Sequence, residues 1–203
     1  MQFVPFEDDI EVNGQTVYSV VEGFALFKKV PSDILLTLGI GHPGADGIVT
    51  LHEDEWIPQE LWLRAFKEIG EVVGAGALYG IGLKIPECAI FPPWVVDVHS
   101  ALKSVNVAYH LNHRRAGRVM FDPMTNTMVE GIGHYGYAPV PGETRVLSKC
   151  SNPYPCDFDK GILTTMARRF APRAWVDHVD PETCRKKGGD ECSYAITWDD
   201  RGA

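Results

Sequence analysis

Residues 184–198, CRKKGGDECSYAITW, hold two cysteines around a double glycine, then place Cys192, Tyr194, Ile196 and Trp198 at alternate positions. Alternation with period two marks a half-buried β-strand, and Gly188-Gly189 before it marks a chain reversal. Two more cysteines stand upstream, Cys150 at the end of ETRVLSKC and Cys156 directly after SNPYP. ETRVLSKC and RAWVDHVD (173–180) read as strands. KGILTTMARRF (160–170) reads as a helix with Ile162, Leu163, Met166 and Phe170 on one face, capped by Asp157 or Asp159. Cys150 and Cys156 therefore flank a strand-to-helix loop, and Cys184 and Cys192 flank the reversal between two strands. Thiolates gathered in this way are natural ligands of a tetrahedral structural zinc, Zn2+. His178 or Asp180, just upstream of Cys184, is chemically able to replace one of the four. Free buried thiols, a disulfide, or a reactive Cys156 at a helix N-terminus are the competing readings.

The 203 residues are 45% hydrophobic, enough for one cored domain. We expect a single domain over 1–203, with an extension at 1–57 and a ligand-binding core at 58–198. Asp and Glu (27) outnumber Lys and Arg (19), for a net charge of -8. An acidic surface argues against nucleic acid or an anionic membrane as main partner. Arg114, Arg115 and Arg118 form the one basic cluster and read as a solvated turn. No apolar run is long enough for a membrane span, and MQFVPFEDDIEV lacks the basic start of a signal peptide. A reducing cytoplasm is expected, where grouped thiols bind metal more often than they pair. Cys88, apart from the rest, reads as a small buried hydrophobe.

The class expected is α+β, an antiparallel sheet packed against several helices, with an N-terminal β-hairpin. That hairpin is DIEVNGQTVYSVV (9–21), with Asn13-Gly14 as a type I′ turn. PSDILLTL (31–38) reads as a short helix capped by Ser32, and GIGHPGADG (39–47) as a glycine loop without the Gly-Lys-Ser/Thr of a phosphate-binding loop. Residues 58–73 form a helix opened by Pro58 and ended by Gly74. GAGALYGIGLKIP (74–86) reads as a glycine-rich stretch, and 94–105 as a helix facing inward with Val95, Val98, Leu102 and Val105. Glu53-Asp54-Glu55 reads as a solvated turn.

The C-terminal half resembles the V4R (4-vinyl reductase) domain, the hydrocarbon-binding sensor domain of aromatic-responsive regulators, which shares the Bet3-type fold. The resemblance covers about residues 60–198 and is strongest over 144–198, where Cys-x7-Cys ends at Cys192 with two glycines inside and an aromatic two residues on. It implies a structural zinc held by an upstream cysteine, Cys150 or Cys156, an acidic residue, and the pair Cys184 and Cys192. Pro181, Glu182 and Thr183 are inserted before Cys184, so His178, Asp180, Glu182 or a second cysteine takes the fourth place. It also implies a small, mostly apolar pocket, a small hydrophobic or aromatic ligand, and a homodimer. The ATPase and DNA-binding modules of the regulators are not expected after Trp198, so a signal would pass through a partner.

His99, His110, His113 and His134, with Tyr135, are the candidate ligand-binding residues, set on neighbouring elements where imidazole and phenol fix a polar group in an apolar pocket. The leading expectation is a zinc-stapled small-molecule sensor. The alternative is a metabolic enzyme on the same scaffold, its histidines carrying a second metal or a haem.

Overall fold

The computed structural model describes residues 1–24, 28–52 and 54–199, except the side chain of Cys88. The expectations for Cys88 and Glu53 lie outside the described residues. The chain is α+β, with antiparallel sheets and, among the described residues, six α-helices.

The N-terminal hairpin does not form. β1 (Ile10–Asn13) passes directly into α1 (Gly14–Gly23). Asn13 has φ -61° and ψ 131°, the extended geometry of a helix cap rather than the positive φ of a type I′ turn. Its side chain accepts from the Gln15 N–H at 2.9 Å. Val17, Val20 and Val21 are all buried, which is the i, i+3, i+4 pattern of a helix face. Burial of that face overrides the β propensity of the valines. β1 then lies at the middle of a sheet, between β4 (Trp56–Pro58) and β5 (His113–Arg115), with β6 (Arg118–Val119) beyond β5. The basic cluster is paired there: Arg114 grips Glu11 at 2.5 Å, and Arg115 reaches Glu7 and Asp9.

α2 (Lys29–Thr37) contains Ser32 in its interior, where the hydroxyl donates to the Lys28 carbonyl at 2.7 Å. The glycine loop that follows is a small ladder of β2 (His42–Pro43) and β3 (Val49–Thr50). α3 (Gln59–Val73) follows its expected span and buries Trp62, Leu63, Ala65, Phe66 and Ile69.

The glycine-rich stretch is a helix, α4 (Ala75–Lys84). It crosses α6 (Cys156–Arg168) at backbone contact. A Cβ at Gly82 would sit 2.1 Å from the Phe158 carbonyl, and one at Gly161 2.4 Å from the Tyr79 carbonyl. Glycine here serves close approach rather than a turn. α5 (Val98–Leu111) starts later and runs further than expected, because Asp97 and Ser100 form a reciprocal capping box.

The second sheet has the order β11 (Trp175–His178), β12 (Cys192–Thr197), β10 (Arg145–Cys150), β9 (Ala138–Pro139). β12 alternates as the sequence requires, with Cys192, Tyr194 and Ile196 buried. β7 (Phe121–Asp122) and β8 (Thr127–Met128) close a turn around Met124-Asn126. Gly133, at φ 76°, lets the chain pass the Ser151 carbonyl, 1.6 Å from where a Cβ would lie, and so brings Tyr135 over the start of α6.

Gly82→Ala is expected to cost about 1–3 kcal/mol, because backbone must move to admit the methyl. Gly80→Ala, in open space on the same helix, should be neutral or stabilise by about 0.5–1 kcal/mol. Urea unfolding of both variants checks the pair.

Candidate functional site

The two C-terminal loops meet over the start of α6. Ligand atoms of Cys156, His178, Cys184 and Cys192 all lie within 4.8 Å of one another. The Cys156 and Cys192 sulfurs are 3.2 Å apart. Cys150 is not one of this group. It faces Cys192 across the β10–β12 ladder, and its thiol contacts the Ser148 hydroxyl at 3.8 Å. His178, at the end of β11, stands where the spacing placed Cys150. Its ring stacks on Tyr194 with centroids 4.9 Å apart, and its Nε2 is buried without a hydrogen-bond partner. Asp180 and Glu182 are exposed and outside the group. Three thiols and an imidazole are chemically a soft-cation donor set. The Cys156 thiol, then Arg185, hold Cys192 below its ordinary pKa, so the shared proton rests on Cys156.

Arg185, inside the Cys-x7-Cys segment, turns inward and is buried with Asp159. Its guanidinium donates to the Asp159 carboxylate and to the Asn152 side-chain oxygen at 2.6 Å. It also donates to the Asn152 carbonyl and to Cys192 Sγ at 3.3 Å. Asp159 accepts further bonds from Tyr135 at 2.5 Å and from the Asn152 amide at 3.2 Å. Burial raises the Asp159 pKa, and Arg185 opposes that shift. Asp159 is therefore a buried counter-ion and not a helix cap. Pro155 occupies the cap position of α6.

The expected ligand residues do not converge. His99 meets the Tyr137 hydroxyl at 2.8 Å and the edge of Trp198 at 5.3 Å. It lines an open cleft of about 420 Å³ with Asp97, Glu143, Thr144 and Trp198. His110 stacks on His134 at 5.0 Å, and His134 is paired with Glu130 at 2.8 Å. The His110 Nδ1 meets the Asn106 carbonyl at 2.9 Å, and its Nε2 is buried without a partner. His113 is buried, with Nδ1 on the Tyr109 carbonyl at 2.6 Å and Nε2 on the Tyr154 hydroxyl at 2.9 Å. Tyr135 is committed to Asp159.

Sequence reasoning missed Arg185, Asp159, Gln59, Trp62 and Tyr154 as polar members of the interior. RKK gave no signal for Arg185, because a charge in a short polar turn ordinarily faces water.

No protein-family model matches the chain, and no curated relative matches it. Solved structures do match. A crystal structure of an oxygen-binding H-NOX domain related to soluble guanylate cyclases aligns at TM-score 0.61 and 16% identity, over 93% of this chain and 95% of that one. A structure from work on heme distortion in the H-NOX family aligns at TM-score 0.63 and 16% identity, over 94% and 97%. The H-NOX domain from Shewanella oneidensis in its Fe(II)CO state aligns at TM-score 0.58 and 13% identity, over 93% and 99%.

The chain thus has the H-NOX fold, and the V4R and Bet3-like resemblance is corrected. Cys-x7-Cys covers only a reversal and two strand ends, whereas the likeness to H-NOX structures spans 93–94% of the chain. The hydrocarbon-binding role implied by that resemblance is corrected with it, and so is the structural zinc read from the four cysteines. The neighbours' descriptions name haem or iron ligation, and here the Arg185–Asp159 pair joins the two loops.

Haem requires a porphyrin slot and an axial donor turned into it. The inward face of α5 carries Val98, Leu102, Val105 and Tyr109. Of the two buried imidazoles, His113 has both nitrogens engaged, and His110, with Nε2 unpartnered, lies stacked on His134. Between α3 and α6, Trp62 stacks on Phe66 at 4.9 Å and Phe66 meets Phe158 edge-on at 5.1 Å. The rings of Trp62, Phe66 and Phe158 therefore pack directly against one another between α3 and α6.

Burial lowers the His113 pKa from 6.5 to about 4. The folded state therefore binds this proton less readily than the unfolded chain. Stability should fall as pH drops from about 6.5 toward 4, by as much as about 3 kcal/mol from this group. His113→Gln should flatten that part of a urea-derived stability–pH curve.

Proposed function

We propose that the chain is a small-molecule-sensing domain of H-NOX architecture that holds its ligand with protein side chains, not on a haem, and signals through a partner. The likeness to H-NOX structures along nearly the whole length of both chains supports the sensing part. The single observation that carries the second part is His113. It is one of two fully buried imidazoles, and it is spent on Tyr109 and Tyr154 inside a ring-filled core, while the other, His110, is stacked on His134. The enzyme alternative has less support, because His99, the His110–His134 pair and His113 stand in three separate environments.

Hemin titration followed by absorption tests this reading. The spectrum is expected to remain the sum of free hemin and protein, without a stoichiometric Soret band. A saturable one-to-one band lost in His110→Ala or His113→Ala would overturn it.

A further inference from the structure

Residues 89–96, AIFPPWVV, carry no polar side chain and yet lie at the surface. They join a 3₁₀ turn, Ile85–Cys88, which packs against α6, to the Asp97 cap of α5. Phe91 and Val95 turn inward onto the core and anchor the loop. Ile90 is 100% exposed, Val96 68% and Trp94 46%, with Pro92 and Pro93 exposed between them. Single apolar side chains on a surface are ordinary, but a contiguous apolar run marks a contact site.

The backbone of this loop is prepared to leave water. Pro92 and Pro93 have no N–H. The Ala89 N–H donates to the Pro86 carbonyl at 3.3 Å, and the Val95 N–H to the Pro92 carbonyl at 3.0 Å. Ser100 Oγ accepts from the Val96 and Asp97 N–H groups at 2.9 and 3.0 Å. Each unmet backbone group is costly in an apolar phase, so irregular chain enters one only where its donors are absent or already bonded. A partner that adds a strand would read free N–H groups instead, and here these are spent internally.

The rim of the loop is basic. The Arg169 guanidinium lies over the Phe91 ring, 4.2 Å from its centroid. Its neighbour Arg168, at the end of α6, donates to the Ala174 carbonyl at 2.9 Å. Neither contact cancels the charge. The nearby acids are already committed, Glu87 to Lys84 at 2.8 Å and Asp97 to the Ser100 N–H at 2.7 Å. The net charge of -8 argues against an anionic membrane for the surface as a whole, but the sign is reversed at this rim. Tryptophan beside arginine suits the boundary between headgroups and acyl chains, and a fluid phase takes a projecting Ile90 without a matched pocket.

We propose that residues 89–96 are a membrane-surface loop. Ile90, Trp94 and Val96 enter the headgroup boundary of an anionic lipid bilayer, and Arg168 and Arg169 attract its phosphates. The inference goes beyond the sensor reading and does not depend on it.

Co-sedimentation of the full chain with vesicles of phosphatidylcholine, with and without phosphatidylglycerol, tests the proposal. Wild type should sediment with the mixed vesicles, and its tryptophan emission should shift to the blue. Trp94→Phe should lose that shift. Ile90→Asp, at a fully exposed position, should melt as wild type does and bind the mixed vesicles about tenfold or more weakly. Arg168→Gln with Arg169→Gln should lower binding to the mixed vesicles toward the level on phosphatidylcholine alone. Absence of sedimentation overturns the proposal, and so does an Ile90→Asp variant that binds like wild type. Equal affinity for the two kinds of vesicle removes the arginines from it. A dimer that Ile90→Asp returns to monomer, without vesicle binding, overturns it in favour of a second copy of the chain. The hemin titration bears on the sensor reading alone.

Discussion

The ion pair between Asp159 and Arg185 is the constraint on which the C-terminal half depends. Both side chains are fully removed from solvent. Two charges in that position are costly to desolvate, and the pair persists only because the remaining donors and acceptors are met. Asn152 supplies both an acceptor and a donor, Tyr135 supplies a donor, and Cys192 takes the Nε–H of Arg185. Four stretches of chain meet in this network: the loop after β10, the first turn of α6, the reversal before β12, and the segment carrying Tyr135.

That network sets the chemistry on either side of it. On one side it gathers Cys156, Cys184 and Cys192 with His178 and favours the thiolate at Cys192. On the other it neutralises the interior that Tyr154, Tyr109 and His113 share with α3. The charge is balanced locally, so that interior is polar without being charged. In that interior Trp62 stacks on Phe66, and Phe66 meets Phe158 edge-on.

Much of the fold was legible where one rule acted alone. α3 and β12 follow their apolar periodicity, and Cys156, Cys184 and Cys192 converge as the loops around them imply. Legibility failed where tertiary contact reversed a local signal. Asn13-Gly14 is an equally good hairpin turn and helix start, and only the burial of Val17, Val20 and Val21 decides between them. Residues 74–86 look like loop because glycine weakens helices, yet Gly82 is required by the Phe158 carbonyl of a helix remote in sequence. Arg185 and Gln59 could not be recognised, since a charge in RKK or an amide in a first helical turn ordinarily faces water. The V4R resemblance rested on one short cysteine motif, while the fold is a property of the whole chain.

A double-mutant cycle on Asp159→Asn and Arg185→Met, read by denaturant unfolding, tests the central role of the pair most directly. Each single change should cost about 3–5 kcal/mol, since it strands a buried charge. The double variant should cost clearly less than their sum, with a coupling of about 2 kcal/mol or more. Additive costs, or an Arg185→Met variant within about 0.5 kcal/mol of wild type, would contradict the account.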